Sequence, residues 1–300
     1  MDIAILGCGY VGLELGRQLA TAGHSPVGIR RSDAGLAAIR DAGFDAVQAD
    51  VTDADSLAAV PDVDAAVFAA SSGGRGADAA REVYVEGLRT AIEHFGSREN
   101  APDQFVYTSS TGVYGDHDGD WVDEETPLDP TTEKTKVLVE AERVTRERAP
   151  DFGMDATVVR FAGLYGPDRY RLLRYLDGPV TEGYLNMVHQ EDAAGVVRFA
   201  LTDDAAHDAE VLLAVDDEPV SKWKFADWLA DEAGVDQPEK QSVEERLEAG
   251  DLSEPAERRL RTSKRCSNDR LRELGYDFAY PTFREGYRAA VDAFRRGEYK

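Results

Sequence analysis

The folding options of this chain narrow at its seventh residue. Ile3-Ala4-Ile5-Leu6 is a short unbroken apolar run, and Gly7-Cys8-Gly9-Tyr10-Val11-Gly12 follows it directly. Val11, Leu15 and Leu19 then recur at helical spacing until Gly23 ends the pattern. A buried strand that turns into a helix through G-x-G-x-x-G gives each glycine a mechanical task. Gly7 permits the tight turn, Gly9 lets a pyrophosphate approach the backbone, and Gly12 lets helix and strand pack closely. The N–H groups of the first helical turn lack intrahelical acceptors and attract phosphate. In this context the motif predicts a dinucleotide site, with Gly7, Gly9, Tyr10, Val11 and Gly12 around the phosphates.

Strand and helix patterns keep alternating downstream. Residues 26–29, 45–48, 65–70, 104–108 and 156–161 read as further strands, and residues 33–42, 77–95 and 134–147 as helices. This βαβα rhythm predicts an α/β fold with a mostly parallel sheet covered on both faces, a doubly wound Rossmann-type sheet. The expected division is a dinucleotide-binding domain over residues 1–162, joined by a strand near 211–215, and a smaller C-terminal substrate lobe over residues 163–300. Within that lobe, residues 235–257 are polar and Glu-rich and read as an excursion from the fold. Residues 266–299 read as two short helical patterns around Tyr280-Pro281-Thr282.

Charge bounds the partners. Asp and Glu total 58 against 34 Lys and Arg, a formal net charge of −24, and only seven of the basic residues are lysine. The acidity is spread along the whole chain. Such a surface repels nucleic acid and resembles that of proteins from high-salt cytoplasms, where dense salt screens self-repulsion. No stretch approaches the roughly 20 apolar residues of a membrane helix, and the first residues carry no basic leader of a secretory signal. Cys8 and Cys266 make no disulfide framework, which fits a cytoplasmic location. The five His and two Cys show no metal-ligand spacing, so no metal site is expected.

The end of the second strand bears on which dinucleotide binds. An acidic residue there would bond the ribose 2′-OH of NAD, whereas this chain has Gly28-Ile29-Arg30-Arg31. Two guanidiniums suit a 2′-phosphate, so NADP is the preferred cofactor, with NAD as the other option. As solvated surface charges the same arginines would need no ligand. Asp50, just past the third strand, either accepts from the adenine amino group or caps the following turn. Val51, Ala69, Ala70 and Ser71 at the neighbouring strand ends complete the candidate cofactor set.

Four further segments carry a family resemblance. They are Phe105-Val106-Tyr107-Thr108-Ser109-Ser110-Thr111-Gly112-Val113-Tyr114-Gly115, Trp121-Val122-Asp123-Glu124-Glu125-Thr126-Pro127-Leu128 with Pro130, Arg160-Phe161-Ala162-Gly163-Leu164-Tyr165-Gly166-Pro167, and Val188-His189-Gln190-Glu191-Asp192. With the glycine turn, they resemble the extended short-chain dehydrogenase/reductase superfamily of nucleotide-sugar epimerases and dehydratases. The spacing G-x-G-x-x-G, where extended members usually have G-x-x-G-x-x-G, resembles an atypical subgroup in particular. The resemblance implies an oxidoreductase acting on a nucleotide sugar or another hydroxylated or carbonyl compound. It also implies homodimerisation through the helices at 77–95 and 134–147.

The resemblance implies a catalytic Ser, a Tyr, and a Lys four residues after the Tyr. A phenol needs a nearby cation to exchange protons at neutral pH, and a spacing of four puts both side chains on one helix face. Ser110 falls at the Ser position and Lys136 at the Lys position, but the Tyr position is Thr132. Threonine has no accessible pKa with which to replace a phenolate. Substitute acids near Ser110 and Lys136 in sequence are Tyr114, Glu133 and Lys134; the alternative is that Tyr114 is a packing residue next to the glycine turn and that Glu133 and Lys134 are solvated residues in a helix's first turn. Alternatively, the chain is a non-catalytic NADP-binding sensor or assembly protein. Arg169, Arg171 and Arg174 are either a phosphate grip or surface charges. His189 and Asp192 are expected to organise the loop before the helix that starts near residue 193. Cys8 is either a small packing residue or a thiol activated by its place at a helix start.

Overall fold

The computed structural model describes residues 1–72, 76–250 and 252–299. Seven parallel strands form the central sheet: β1 (Asp2–Leu6), β2 (Ser25–Arg30), β3 (Asp45–Gln48), β4 (Ala65–Phe68), β5 (Gln104–Ser110), β6 (Asp155–Phe161) and β7 (Val211–Ala214). Their order is β7-β6-β5-β4-β1-β2-β3, with Ile3 opposite Ala65 on one side of β1 and Pro26 on the other. The chain runs outward from β1 to β3, then returns to the other side of β1 at β4. That reversal opens a crevice beyond the carboxyl ends of β1 and β4, the place where doubly wound sheets bind ligands.

The core explains why the strands are nearly continuous apolar runs. Side chains alternate across the sheet. Ile3, Ile5, Val67 and Val106 meet Leu15, Leu19 and Val196 on one face. These come from helices α1 (Tyr10–Thr21) and the later Gln190–Thr202. Ala4, Leu6, Phe68 and Phe105 meet Leu88, Ile92, Val137 and Ala141 on the other. With both faces covered, neither needs polar residues.

Helix α2 (Asp33–Asp41) follows β2, with Ser32 accepting the Gly35 N–H as its cap. The long helix α3 runs as Ala77–Arg81, a π-helical turn over Glu82–Gly87, and Leu88–Gly96. Helix α4 (Glu133–Arg148) lies against α3, starting at a capping box in which Thr132 and Thr135 bond reciprocally. Helix α5 (Gln190–Thr202) packs on α1.

Beyond β6, short paired strands and helices α6 (Lys222–Ala233) and α7 (Phe283–Arg295) build a second, aromatic core. Tyr165 stacks on Tyr287 at 5.0 Å, and Phe225 meets Phe283 edge-on at 5.2 Å. The polar stretch at 235–257 carries regular elements that its composition did not suggest. Lys240–Gln241 pairs with Val180–Thr181, and helices Val243–Glu248 and Glu254–Arg261 follow; Asp251 lies outside the described residues. Charged side chains on two short helices, the first of them started by a Ser242–Glu245 capping box, mask the helical pattern there. The second helix near the C-terminus is also longer than read from sequence, with 13 residues in α7. No helix among the described residues is long and apolar enough to cross a membrane.

Candidate functional site

A cleft of about 780 Å³ opens at the carboxyl ends of the central strands. Its floor at one end is the glycine turn. The Gly7 and Cys8 amides both donate to the Ile29 carbonyl, at 3.2 and 3.1 Å, so the turn is pinned to β2. Gly7 has φ +82°, and a Cβ there would lie 2.1 Å from the Ala70 Cα. Only glycine allows both that backbone and that approach between the ends of β1 and β4. Helix α1 then starts at Tyr10 with no capping side chain and no acidic residue in its first turn. The amides of Tyr10, Val11 and Gly12 therefore stay available at the positive end of the helix, facing a cleft that Gly7, Gly9 and all three of these residues line.

The arginine pair divides. Arg30 lies across the glycine turn, donating to the Cys8 carbonyl at 3.4 Å, and its Nη1 lies 3.0 Å from where a Gly9 Cβ would be. Arg31 is exposed and pairs with Asp50 at 3.2 Å. The Asp50 carboxylate also accepts from the Thr52 N–H and hydroxyl, at 3.0 and 2.8 Å, in a turn cap. Burial would raise this carboxyl, but the Thr52 bonds and the Arg31 charge hold it below the usual carboxylate range. Both arginines, Ser32, Asp50 and Val51 line this end of the cleft, while Ala69, Ala70 and Ser71 line its middle. A diphosphate-bearing dinucleotide fits these donors: free helix-start amides, a glycine cradle that any Cβ would fill, and a guanidinium beside it.

At the far end lie Ser110, Thr132, Tyr84 and Lys134. Ser110 ends β5, and its Oγ accepts the Gly112 N–H at 3.1 Å. Thr132 caps α4, its hydroxyl accepting from the Thr135 amide at 3.0 Å. Lys136 does not line the cleft. Its ammonium is exposed and pairs with Glu133 at 2.7 Å, and Glu133 is itself in solvent, so neither is positioned for chemistry in the cleft. The phase of α4 is the reason. Val137, Leu138, Ala141, Glu142, Val144 and Thr145 are its buried residues, and Lys134 and Leu138 are the four-spaced pair that meets the cleft.

Tyr114 is likewise removed from the candidate acids, because it is fully buried behind the cleft. Its hydroxyl accepts from Arg160 Nη1 at 2.6 Å, and burial pushes the phenol well above its ordinary range. Arg160 in turn grips Glu142 through contacts of 2.7, 3.1 and 3.2 Å, and Glu142 accepts from the Ser109 hydroxyl at 2.6 Å. The residues Ser109, Tyr114 and Arg160 of the sequence motifs thus form one buried network that fixes the end of β5, and with it Ser110.

Other candidates separate in the same way. Arg169 lines the cleft with its guanidinium 4.0 Å from the Tyr10 ring centroid, whereas Arg171 and Arg174 do not line it. His189 is buried, its Nδ1 accepts from the Glu191 N–H at 3.3 Å, and burial lowers it to about 4, so it is neutral at pH 7. Asp192 accepts the Ala279 and Tyr280 amides at 2.8 and 2.9 Å, tying α5 to the C-terminal segment. Burial pushes the Cys8 thiol up to about 12, which makes it an inert packing residue rather than an activated one. Tyr84 had no signal in the local sequence. It reaches the cleft because α3 packs beside α4 and carries a π turn at that point.

The chain resembles known proteins over this same frame. It is 31% identical to protein YeeZ of Escherichia coli over 206 residues, covering 66% of this chain and 72% of that protein. Among solved structures, a protein of Methylobacillus flagellatus assigned as an NAD-dependent epimerase/dehydratase superposes with a TM-score of 0.77 at 29% identity, covering 98% of both chains. A conserved protein of unknown function from Silicibacter pomeroyi gives a TM-score of 0.77 at 28% identity, covering 100% of this chain and 99% of that one. The model of the NAD dependent epimerase/dehydratase family matches residues 3–207, from β1 to the turn before β7, and the chain belongs to that family.

Proposed function

We propose that this protein is an NADP-preferring oxidoreductase of epimerase or dehydratase type that acts on a nucleotide sugar or another hydroxylated compound. The observation that carries this reading is one cleft lined both by the glycine turn with Arg30 and by Ser110 with Tyr84 and Lys134. The amides of Tyr10, Val11 and Gly12 would hold the diphosphate, and Arg30, with Arg31 and Ser32 beside it, would hold a 2′-phosphate. Val51 would flank the adenine, and Ala69 to Ser71 the middle of the cofactor. When bound, the dinucleotide supplies a hydride donor or acceptor. Because the Ser110 oxygen already accepts the Gly112 amide, its proton is available to a substrate oxygen. The net charge of −24 supports a cytoplasm of high salt as the working environment.

The second reading is an NADP-binding sensor or assembly protein without turnover. It is favoured by Lys136, which pairs with Glu133 in solvent instead of meeting the cofactor cleft. Titrating NADPH and NADH by fluorescence in molar KCl, with a panel of nucleotide sugars, sugars and simple carbonyl compounds, tests both. Tight NADPH binding with turnover of one panel compound is expected. Binding without turnover favours the sensor, and no binding of either dinucleotide overturns both readings.

A further inference from the structure

We propose that Tyr84 of α3, served by the Lys134 ammonium of α4, is the proton-exchanging residue of this cleft. The inference rests on the oxidoreductase reading above and assigns the chemistry that Thr132 cannot perform. Both side chains line the cleft together with Ser110. The Lys134 Nζ lies 6.0 Å from the centroid of the Tyr84 ring, and Lys134 has no carboxylate partner among the described residues. Lys136, two residues on, is held by Glu133 instead. Lys134 thus projects an unneutralised charge toward a phenol, the arrangement a tyrosine needs to work near neutral pH.

The backbone around Tyr84 is built to hold it there. Tyr84 sits inside the π-helical turn Glu82–Gly87, and such turns occur mostly as single-turn bulges, often at functional sites. Val83 and Val85 on either side are buried in the sheet-facing core, so the turn cannot rotate. The Tyr84 oxygen accepts the Ser72 N–H at 3.4 Å, from the segment that leaves β4 at the middle of the cleft. A donor to the phenol oxygen favours its ionised form. Burial alone would raise this phenol, but hydrogen bonds from Ser72 and the Lys134 charge outweigh it and hold it below the ordinary tyrosine range. Tyr107, Tyr114 and Tyr165 are instead pushed up by burial, and none of them lines the cleft.

The step is a simple proton exchange. The Tyr84 phenolate takes the proton of a substrate hydroxyl. The substrate O–H bond breaks, the phenol O–H bond forms, and the electron pair stays on the substrate oxygen. In the reverse direction the phenol protonates a substrate carbonyl oxygen. Lys134 touches no reacting atom in this scheme. It is a positioning residue that lowers the cost of the phenolate.

The test starts with the ligand-free protein. Phenolate absorbance is titrated for wild type, Tyr84→Phe and Lys134→Met, and the differences isolate one phenol among the 12 tyrosines. Tyr84→Phe is expected to remove a phenol that ionises below the usual value, and Lys134→Met to move that ionisation upward. A Tyr84 phenol ionising at or above the usual value, or one that Lys134→Met does not move, overturns the proposal. Should Tyr84→Phe fail to fold, the Lys134→Met comparison still decides. With any panel compound that turns over, Tyr84→Phe is expected to lower kcat by about 100-fold or more while dinucleotide affinity holds within about threefold. Unchanged kcat overturns the proposal. Absence of dinucleotide binding in the wild type overturns the oxidoreductase reading instead, and the titration separates these two failures.

Discussion

Removing the Glu142 carboxylate is the sharpest probe of how the cleft is held. The carboxylate accepts from Arg160 at 2.7, 3.1 and 3.2 Å and from the Ser109 hydroxyl at 2.6 Å. The two charged side chains are only 3% and 4% exposed. Glu142→Ala therefore leaves a buried guanidinium whose remaining hydrogen-bond partner among the described residues is the Tyr114 oxygen, and an unpaired Ser109 hydroxyl. Breaking a buried ion pair from one side costs about 3–5 kcal/mol. Unfolding entropy of about 2.1 cal/mol/K per residue over 300 residues converts this to a melting temperature lower by roughly 5–8 °C. Urea denaturation and calorimetry measure both quantities. The double variant Glu142→Leu with Arg160→Met removes both charges and is expected to recover most of the loss, because the pair is costly to desolvate. A loss below about 1 kcal/mol for Glu142→Ala, or a double variant no better than the single one, would refute the claim that an uncompensated charge is the cause.

Three further outcomes are expected. Gly7→Ala puts a methyl 2.1 Å from the Ala70 Cα at a φ of +82°, so the strand ends must part. Dinucleotide affinity should fall at least tenfold, or about 1.4 kcal/mol, in a fluorescence titration, and full retention would contradict the close approach. Arg30→Ala should weaken NADPH by about 10- to 100-fold, the worth of a charge-assisted bond, and leave NADH nearly unchanged; an equal loss of both would remove Arg30 from cofactor choice. His189 resists protonation until about pH 4, whereas the unfolded chain takes up that proton near pH 6.5. Its contribution is fully present above 6.5 and is lost as pH falls toward 4, with about 2 kcal/mol gone at pH 5. Urea unfolding of His189→Gln should show that much less acid sensitivity, and parallel curves would show that His189 does not titrate this way.

What the sequence made legible was local in origin. The glycine turn and Arg30 are read within one strand–turn–helix unit, because the strand fixes where the loop begins and the helix fixes where its amides point. The doubly wound sheet follows from the same alternation of short apolar runs and helical stripes. The far end of the cleft was harder to read because it is assembled from different helices. Tyr84 and Lys134 are 50 positions apart and meet only through the packing of α3 on α4. The position of Lys136 was legible, however, in the helical phase. It shares a stripe with Glu140, Arg143 and Glu147, while Val137, Leu138, Ala141 and Val144 mark the opposite face. The motif tyrosine at 114 was misleading for another reason. Its partner Arg160, and the Glu142 that Arg160 grips, lie on other elements, and only their burial reveals that it braces the sheet.

The sheet is strung so that its last strand arrives late. Strand β7 pairs with β6, Val211 beside Val158 and Leu212 beside Val159, yet the chain builds the whole segment from 162 to 210 before β7 is made. During synthesis β6 therefore waits as an open edge of unpaired amides and carbonyls flanked by valines, the kind of surface that recruits foreign strands. A fragment cut at residue 207, where the family match ends, would keep the glycine turn and the cleft walls but carry that edge permanently. Such a fragment should precipitate where the longer chain does not. The few residues of β7 thus exchange that edge for their own, on which the Glu124 carboxylate accepts the Leu213 amide at 2.9 Å, and they are supplied only after the segment that precedes them has been made.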